Sequence, residues 1–123
     1  MPFSHADPGW LMTVDQYLTT YTRSTLDLVL ERLQRWPDMK FIWAEVSFFE
    51  LWWSEQDEDS RKKIKTLVNR GQLEFVNGGY VMPDEASAHQ YAILHQYVYG
   101  KSNTFRQVFD DSQWGFTLII GHQ

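Results

Sequence analysis

"KFIWAEVSFFELWW", Lys40 to Trp53, decides how the rest of the chain is read. Its first half, Lys40 to Val46, is short, apolar and partly β-branched or aromatic, which is the composition of a buried strand. Phe48 to Trp53 either extends that strand or opens a helix, and the helical reading is preferred. Upstream, Val14, Leu18, Tyr21, Leu26, Val29 and Leu33 recur at spacings of three to five, so Thr13 to Gln34 is expected to be one helix with these residues on one face. Pro37 ends it.

Downstream, Ser54 to Arg70 sorts its charges: Glu55, Asp57, Glu58 and Asp59 come first, and Arg61, Lys62, Lys63, Lys65 and Arg70 follow. Acids at the positive end and bases at the negative end complement a helix dipole. Gly71 stands where a left-handed cap is expected, and Ile64, Leu67 and Val68 turn inward. "QLEFV", residues 72 to 76, then reads as a second strand, stopped by Asn77, Gly78 and Gly79. After a loop through Pro83, Asp84 or Ser87 can cap a helix running to about Phe109, with Tyr91, Leu94, Tyr97 or Val98, and Phe105 on one side. Gly100 is a point where that helix can break.

Helix, strand, helix, strand, helix is the alternation of α/β units on a parallel sheet. Sites in such folds collect at the carboxyl ends of the strands. "EVSFF" and "VNGGYVMPDE" fall there, and so does "SHADPGW" if Phe3 is the tail of a first strand. The 123 residues, 43% of them hydrophobic, suffice for one domain. Sixteen acids against eleven bases, a formal charge of -5, disfavour a phosphate-backbone partner. With no cysteine, disulfides and thiolate metal sites are excluded. No run approaches the roughly 18 apolar residues of a membrane span, and residues 1 to 10 do not read as a signal peptide.

His5 and Asp7 alternate by two, so in an extended segment they point to the same side. Imidazole nitrogen and carboxylate oxygen both suit zinc, although two ligands do not complete a site. "ADPG" alone reads as a turn. His89 and His95, six apart, fall on different helix faces and are read, with the terminal His122, as structural or solvated. Glu45 at a strand end and the pair Asp84 and Glu85 could do acid or base work. The plainer readings, preferred here, are a buried carboxylate held by backbone donors and a helix cap. Trp10, Trp52, Trp53 and Tyr80 offer rings on which a sugar could stack.

Together, "SHADPGWLMTVDQY", "KFIWAEVSFFELWW" and "RGQLEFVNGGYVMPDEASAH" resemble, in order and spacing, the opening of the catalytic domain of class II α-mannosidases, glycoside hydrolase family 38. The resemblance covers residues 3–109, leaving 110–123 as a divergent tail. The pattern H-S-H-N-D-P-G-W of the family's Golgi branch is matched at Asp7 to Trp10, with Ala6 in place of the usual polar residue between the two ligands. The resemblance implies a partial seven-stranded β/α barrel, here its first three strands with their helices. It implies a zinc-dependent, retaining exo-glycosidase acting on α-mannose of N-glycans in the secretory pathway, in the Golgi lumen ahead of the lysosome, since "VMPDEA" is similar to the Golgi branch while "TVDQY" resembles the lysosomal one. His5 and Asp7 would be zinc ligands and Trp10 would pack against the sugar.

The family's W-x-I-D-P-F-G-H motif, whose aspartate is nucleophile and third ligand, is not matched. Three residues beyond Trp114 stands Thr117, and the general acid and a fourth, histidine ligand lie far downstream in the family. No catalytic residue is therefore assigned here, and the 123 residues alone are expected to be inactive and prone to associate through open sheet edges. The alternatives are a carbohydrate-binding or regulatory piece without turnover, or a metal-dependent carbohydrate deacetylase.

Overall fold

The computed structural model of the protein describes residues 2–76, 78–83 and 89–100. Helix α1 (Val14–Tyr17), a wide π-turn (Leu18–Thr22) and α2 (Arg23–Arg35) form one continuous helical run. Strand β1 (Phe41–Trp43) comes next, then α3 (Val46–Ser54), α4 (Glu58–Asn69), β2 (Leu73–Phe75) and α5 (Gln90–Tyr99). The strands pair in parallel, with Phe41 opposite Leu73 and Trp43 opposite Phe75. On the other side of β1, Phe3 bridges Ile42, also in parallel. The architecture is α/β around a small parallel sheet, as the alternation of elements implies.

The Lys40–Trp53 stretch changes from strand to helix at Glu45 rather than after Val46. Helix α3 is apolar almost all round, and Val46, Phe48, Phe49, Trp52 and Trp53 are all buried, as a helix enclosed by other elements requires. Phe49 lies at the centre, 4.6 Å edge-to-face from Phe75 and 5.7 Å from Trp52 by ring centroid. Leu26 and Leu33 of α2 and Ile64 and Leu67 of α4 close the core around it.

The upstream helix departs from a single α-periodicity. Of the six residues expected on its inner face, Leu18, Leu26 and Leu33 are buried and Val29 packs against the core, whereas Val14 and Tyr21 are exposed. Thr22 is buried in place of Tyr21. The π-turn carries an extra residue and so shifts the inward face by one position. At the far end Trp36 is extended, with φ -122° and ψ 99°, because the residue before a proline is kept out of the helical region. The last carbonyls of α2 are met by buried Gln72, whose amide donates to Leu33 O at 2.9 Å and Trp36 O at 3.3 Å.

The charge-sorted helix begins at Glu58, not Ser54, because α3 claims Ser54 and Asp57 caps α4. Its far end matches expectation: Gly71 has φ 66°, a value that favours glycine, while its N–H reaches Val68 O and that of Gln72 reaches Leu67 O. These two bonds form a Schellman cap.

The Asp57 carboxylate accepts from Ser60 N at 2.8 Å, and its hydrogen bonding to Ser60 holds its pKa below the usual carboxylate value. A group whose folded pKa is depressed contributes fully above its unfolded value of about 3.9 and loses that contribution as pH falls through the folded one. Acid titration below about pH 4 is therefore expected to release the first turn of α4, read from the Ser60 amide proton shift. Asp57→Asn should keep the cap and abolish this pH dependence. Asp57→Ala should lose the cap at every pH.

The last helix differs most from its expected packing. Tyr91, Leu94 and Val98 are exposed, and α5 docks instead through Gln96, whose Oε1 accepts from Val81 N at 2.9 Å. Gly100 is helical and buried against Gly78 to Tyr80. Asp84, Ser87 and Phe105 lie outside the described residues.

Candidate functional site

Pro2 to Asp7 runs extended beside β1, held by Ser4 N to Ile42 O at 2.9 Å and Ile42 N to Pro2 O at 3.0 Å. Alternation along this segment buries Ser4 and leaves His5 exposed. His5 Nε2 and Asp7 Oδ2 stand 3.6 Å apart, with side chains 60% and 42% exposed. The same-side placement expected from the spacing is thus present in the structure.

Beneath them lies Glu45, 0% exposed at the end of β1. Its Oε2 accepts from the Ser4 hydroxyl and its Oε1 from Ala6 N at 2.9 Å. Ser4 Oγ in turn accepts from Ala44 N at 2.8 Å, and Glu45 O accepts from the Trp43 indole at 2.7 Å. The plain reading of Glu45 as a buried, hydrogen-bonded carboxylate matches this geometry, with one hydroxyl donor beside the backbone one. Sequence reasoning did not find Ser4. Its only signal is that it occupies the pleat position opposite to His5 and Asp7.

Beyond the Pro8–Gly9 turn, Trp10 is 72% exposed. It borders a shallow, open depression with Leu11, Met12, Thr13 and Gln16. Thr13 and Gln16 form a capping box at the start of α1, and Leu11 N donates to the Tyr17 hydroxyl at 3.1 Å. The backbone beside Trp10 is thereby anchored while its ring faces solvent.

Of the four rings offered for sugar stacking, Trp52 and Trp53 are withdrawn, being 1% and 6% exposed in the core. Helical spacing directs them inward with Phe48 and Phe49. Tyr80 is partly buried and meets Tyr99 edge-to-face at 4.9 Å; burial, then the nearby Glu50 charge, pushes its phenol pKa up. His89 and His95 are exposed, in keeping with a solvated role. Asp84, Glu85, His122 and the tail 110–123 lie outside the described residues.

Could the pair hold zinc? Ligands at 2.0–2.2 Å on a tetrahedral ion are separated by roughly 3.3–3.6 Å. The His5–Asp7 distance is close to that, and the donor types suit the ion. The two residues fit adjacent corners of such a site. Among the described residues no group of three or more potential ligands occurs.

Residues 1–117 match the glycosyl hydrolases family 38 N-terminal domain. The chain is 45% identical over 100 residues to alpha-mannosidase 2x of Mus musculus, covering 81% of the chain and 9% of that protein. It is 40% identical over 116 residues to alpha-mannosidase 2 of Drosophila melanogaster, covering 93% and 10% respectively. To alpha-mannosidase 2 of Homo sapiens it is 40% identical over 100 residues, again 81% of the chain and 9% of the relative. The chain thus spans about a tenth of the length of these curated relatives. With a family match extending over nearly all its residues, the chain belongs to glycosyl hydrolases family 38 and carries sequence of that family's N-terminal domain.

Proposed function

We propose that this chain is the opening part of a zinc-dependent α-mannosidase domain, a retaining exo-glycosidase that removes α-mannose from N-glycans in the secretory pathway, within the Golgi lumen. The carrying observation is the His5–Asp7 pair, 3.6 Å apart beside an exposed Trp10, in a chain similar to proteins named alpha-mannosidase 2. His5 Nε2 and Asp7 Oδ2 would hold the ion, and the Trp10 ring would offer an apolar plate to the sugar's C–H face. Bound there, zinc supplies Lewis-acid stabilisation and a fixed point for sugar hydroxyls. Retention also requires a nucleophilic carboxylate and a second carboxyl as acid and base. These 123 residues assign neither role.

Two measurements test the reading. Purified alone, the 123-residue chain should release no p-nitrophenol from its α-mannoside and should not bind zinc with micromolar affinity; zinc-dependent release, or micromolar binding abolished by Asp7→Ala, contradicts the proposed division of labour. Grafted in place of the matching stretch of the Drosophila relative, residues 3–109 should support hydrolysis. In that chimera His5→Ala or Asp7→Ala should cost more than the roughly 10–100-fold typical of residues that merely support ligands. A folded, zinc-loaded but inactive chimera overturns the assignment.

A further inference from the structure

We propose that Glu45 is a positioning residue for His5 and Asp7, acting through Ser4 and Ala6. The inference deepens the functional reading above and rests on it for what the pair binds. A carboxylate with no exposed surface is costly to keep unless its oxygens are met, and both are met here from one short segment: Ser4 Oγ donates to Oε2 and Ala6 N to Oε1. Residues 4 and 6 are the alternates of residues 5 and 7. Securing the inner pair therefore fixes the pleat, and with it the side on which the imidazole and the Asp7 carboxylate emerge.

The position of Glu45 fits this role. It is the N-cap residue of α3, yet its side chain makes no cap hydrogen bond to that helix. It turns instead towards a segment 39 to 41 residues earlier. Ser4 extends the network, since the oxygen that donates to Glu45 also accepts from Ala44 N. One hydroxyl thus joins the end of β1, the buried carboxylate and the extended segment. The side chains of His5 and Asp7 are both solvent-exposed, so their spacing depends on the backbone that carries them.

The full 123-residue chain, ¹⁵N-labelled, is compared with Ser4→Ala, Glu45→Ala and Glu45→Gln. Backbone order parameters are measured at residues 4–7 and across α2 to α4, and His5 ring resonances are observed during titration with Zn²⁺. Glutamine keeps the shape and can still accept from Ala6 N while donating to Ser4 Oγ, so it is the rescuing variant.

The expected result is ordered amides at His5 and Asp7, near about 0.85, in the parent and in Glu45→Gln, falling towards about 0.6 in Ser4→Ala with α2 to α4 unchanged. The Zn²⁺ concentration needed to shift the His5 ring should rise roughly 10–100-fold in Ser4→Ala and not in Glu45→Gln. Should Glu45→Ala fail to fold, Ser4→Ala carries the comparison by itself. Equal order at residues 5 and 7 in parent and Ser4→Ala overturns the proposal, as does lost order without a changed Zn²⁺ response. If the order pattern holds but the parent's His5 ring ignores Zn²⁺ even at roughly millimolar concentration, well above the micromolar range in which two ligands alone are not expected to bind, positioning stands and the zinc reading falls.

Discussion

Trp52→Ala is expected to lower the unfolding free energy by roughly 3–5 kcal/mol, the usual range for truncating a large buried aromatic. The side chain is 1% exposed and packs against Phe49. Its indole N–H donates to Asp27 Oδ1 at 2.8 Å, linking α3 to α2. Alanine would open a void in the core and would strand no buried donor, so the loss is chiefly one of packing. Trp52→Phe keeps most of the apolar volume and gives up the hydrogen bond, a net contribution of about 1 kcal/mol. Urea unfolding of the three proteins, monitored by far-ultraviolet circular dichroism, separates the two contributions. An alanine variant within about 1 kcal/mol of the parent would mean that α3 is not the centre of the core.

Gly100→Ala tests how α5 is seated. A Cβ at this position would lie 2.7 Å from Gly78 O, 3.0 Å from Tyr80 N and 3.1 Å from Gly79 C, all backbone atoms. The helical φ of -59° is open to alanine, so propensity alone favours the change by up to about 1 kcal/mol. Overpacking of this kind costs about 1–3 kcal/mol, and steric conflict with three backbone atoms is expected to prevail. The response should be local: Val81 N, which donates to Gln96, and Ser47 N, which donates to Tyr80 O at 2.9 Å, lose protection. Amide exchange at these two positions should quicken about 5- to 30-fold for a loss of one or two kcal/mol. Unchanged exchange at both would show that the loop accommodates a methyl group without leaving its seat.

Much of the architecture was legible because period and punctuation agreed. The change from strand to helix inside Lys40–Trp53 is a matter of length, since a single strand spanning all of it would exceed the usual range of about 3–10 residues. Pro37 and Gly71 bound their helices for reasons internal to each residue. The π-turn was not legible: Tyr21 and Thr22 are both acceptable to an inner face, and only packing against α3 chooses between them. Nor was the orientation of α5. An apolar stripe such as Tyr91, Leu94 and Val98 says which side chains share a face, not what covers it.

The candidate site divides along the same line. The side-by-side arrangement of His5 and Asp7 needs only an extended backbone, which a two-residue spacing encodes. The Glu45 network joins residues 39 to 41 positions apart and depends on parallel pairing of Phe3 with Ile42, which no local pattern specifies. The withdrawal of Trp52 and Trp53 from the surface is implied once their segment is helical, because a helix buried on most sides has no room for a stacking platform.

Leu18 and Leu26 are eight residues apart, which on an uninterrupted α-helix would set them about 80° out of line. The broadened coil at Leu18–Thr22 absorbs that offset, so both leucines reach the same interior. Removing one residue from it would leave seven, which ordinary winding carries to within about 20° of two full turns, so the coil would close to a plain α-helix while the segment ahead of it, including the approach to Trp10, kept its facing.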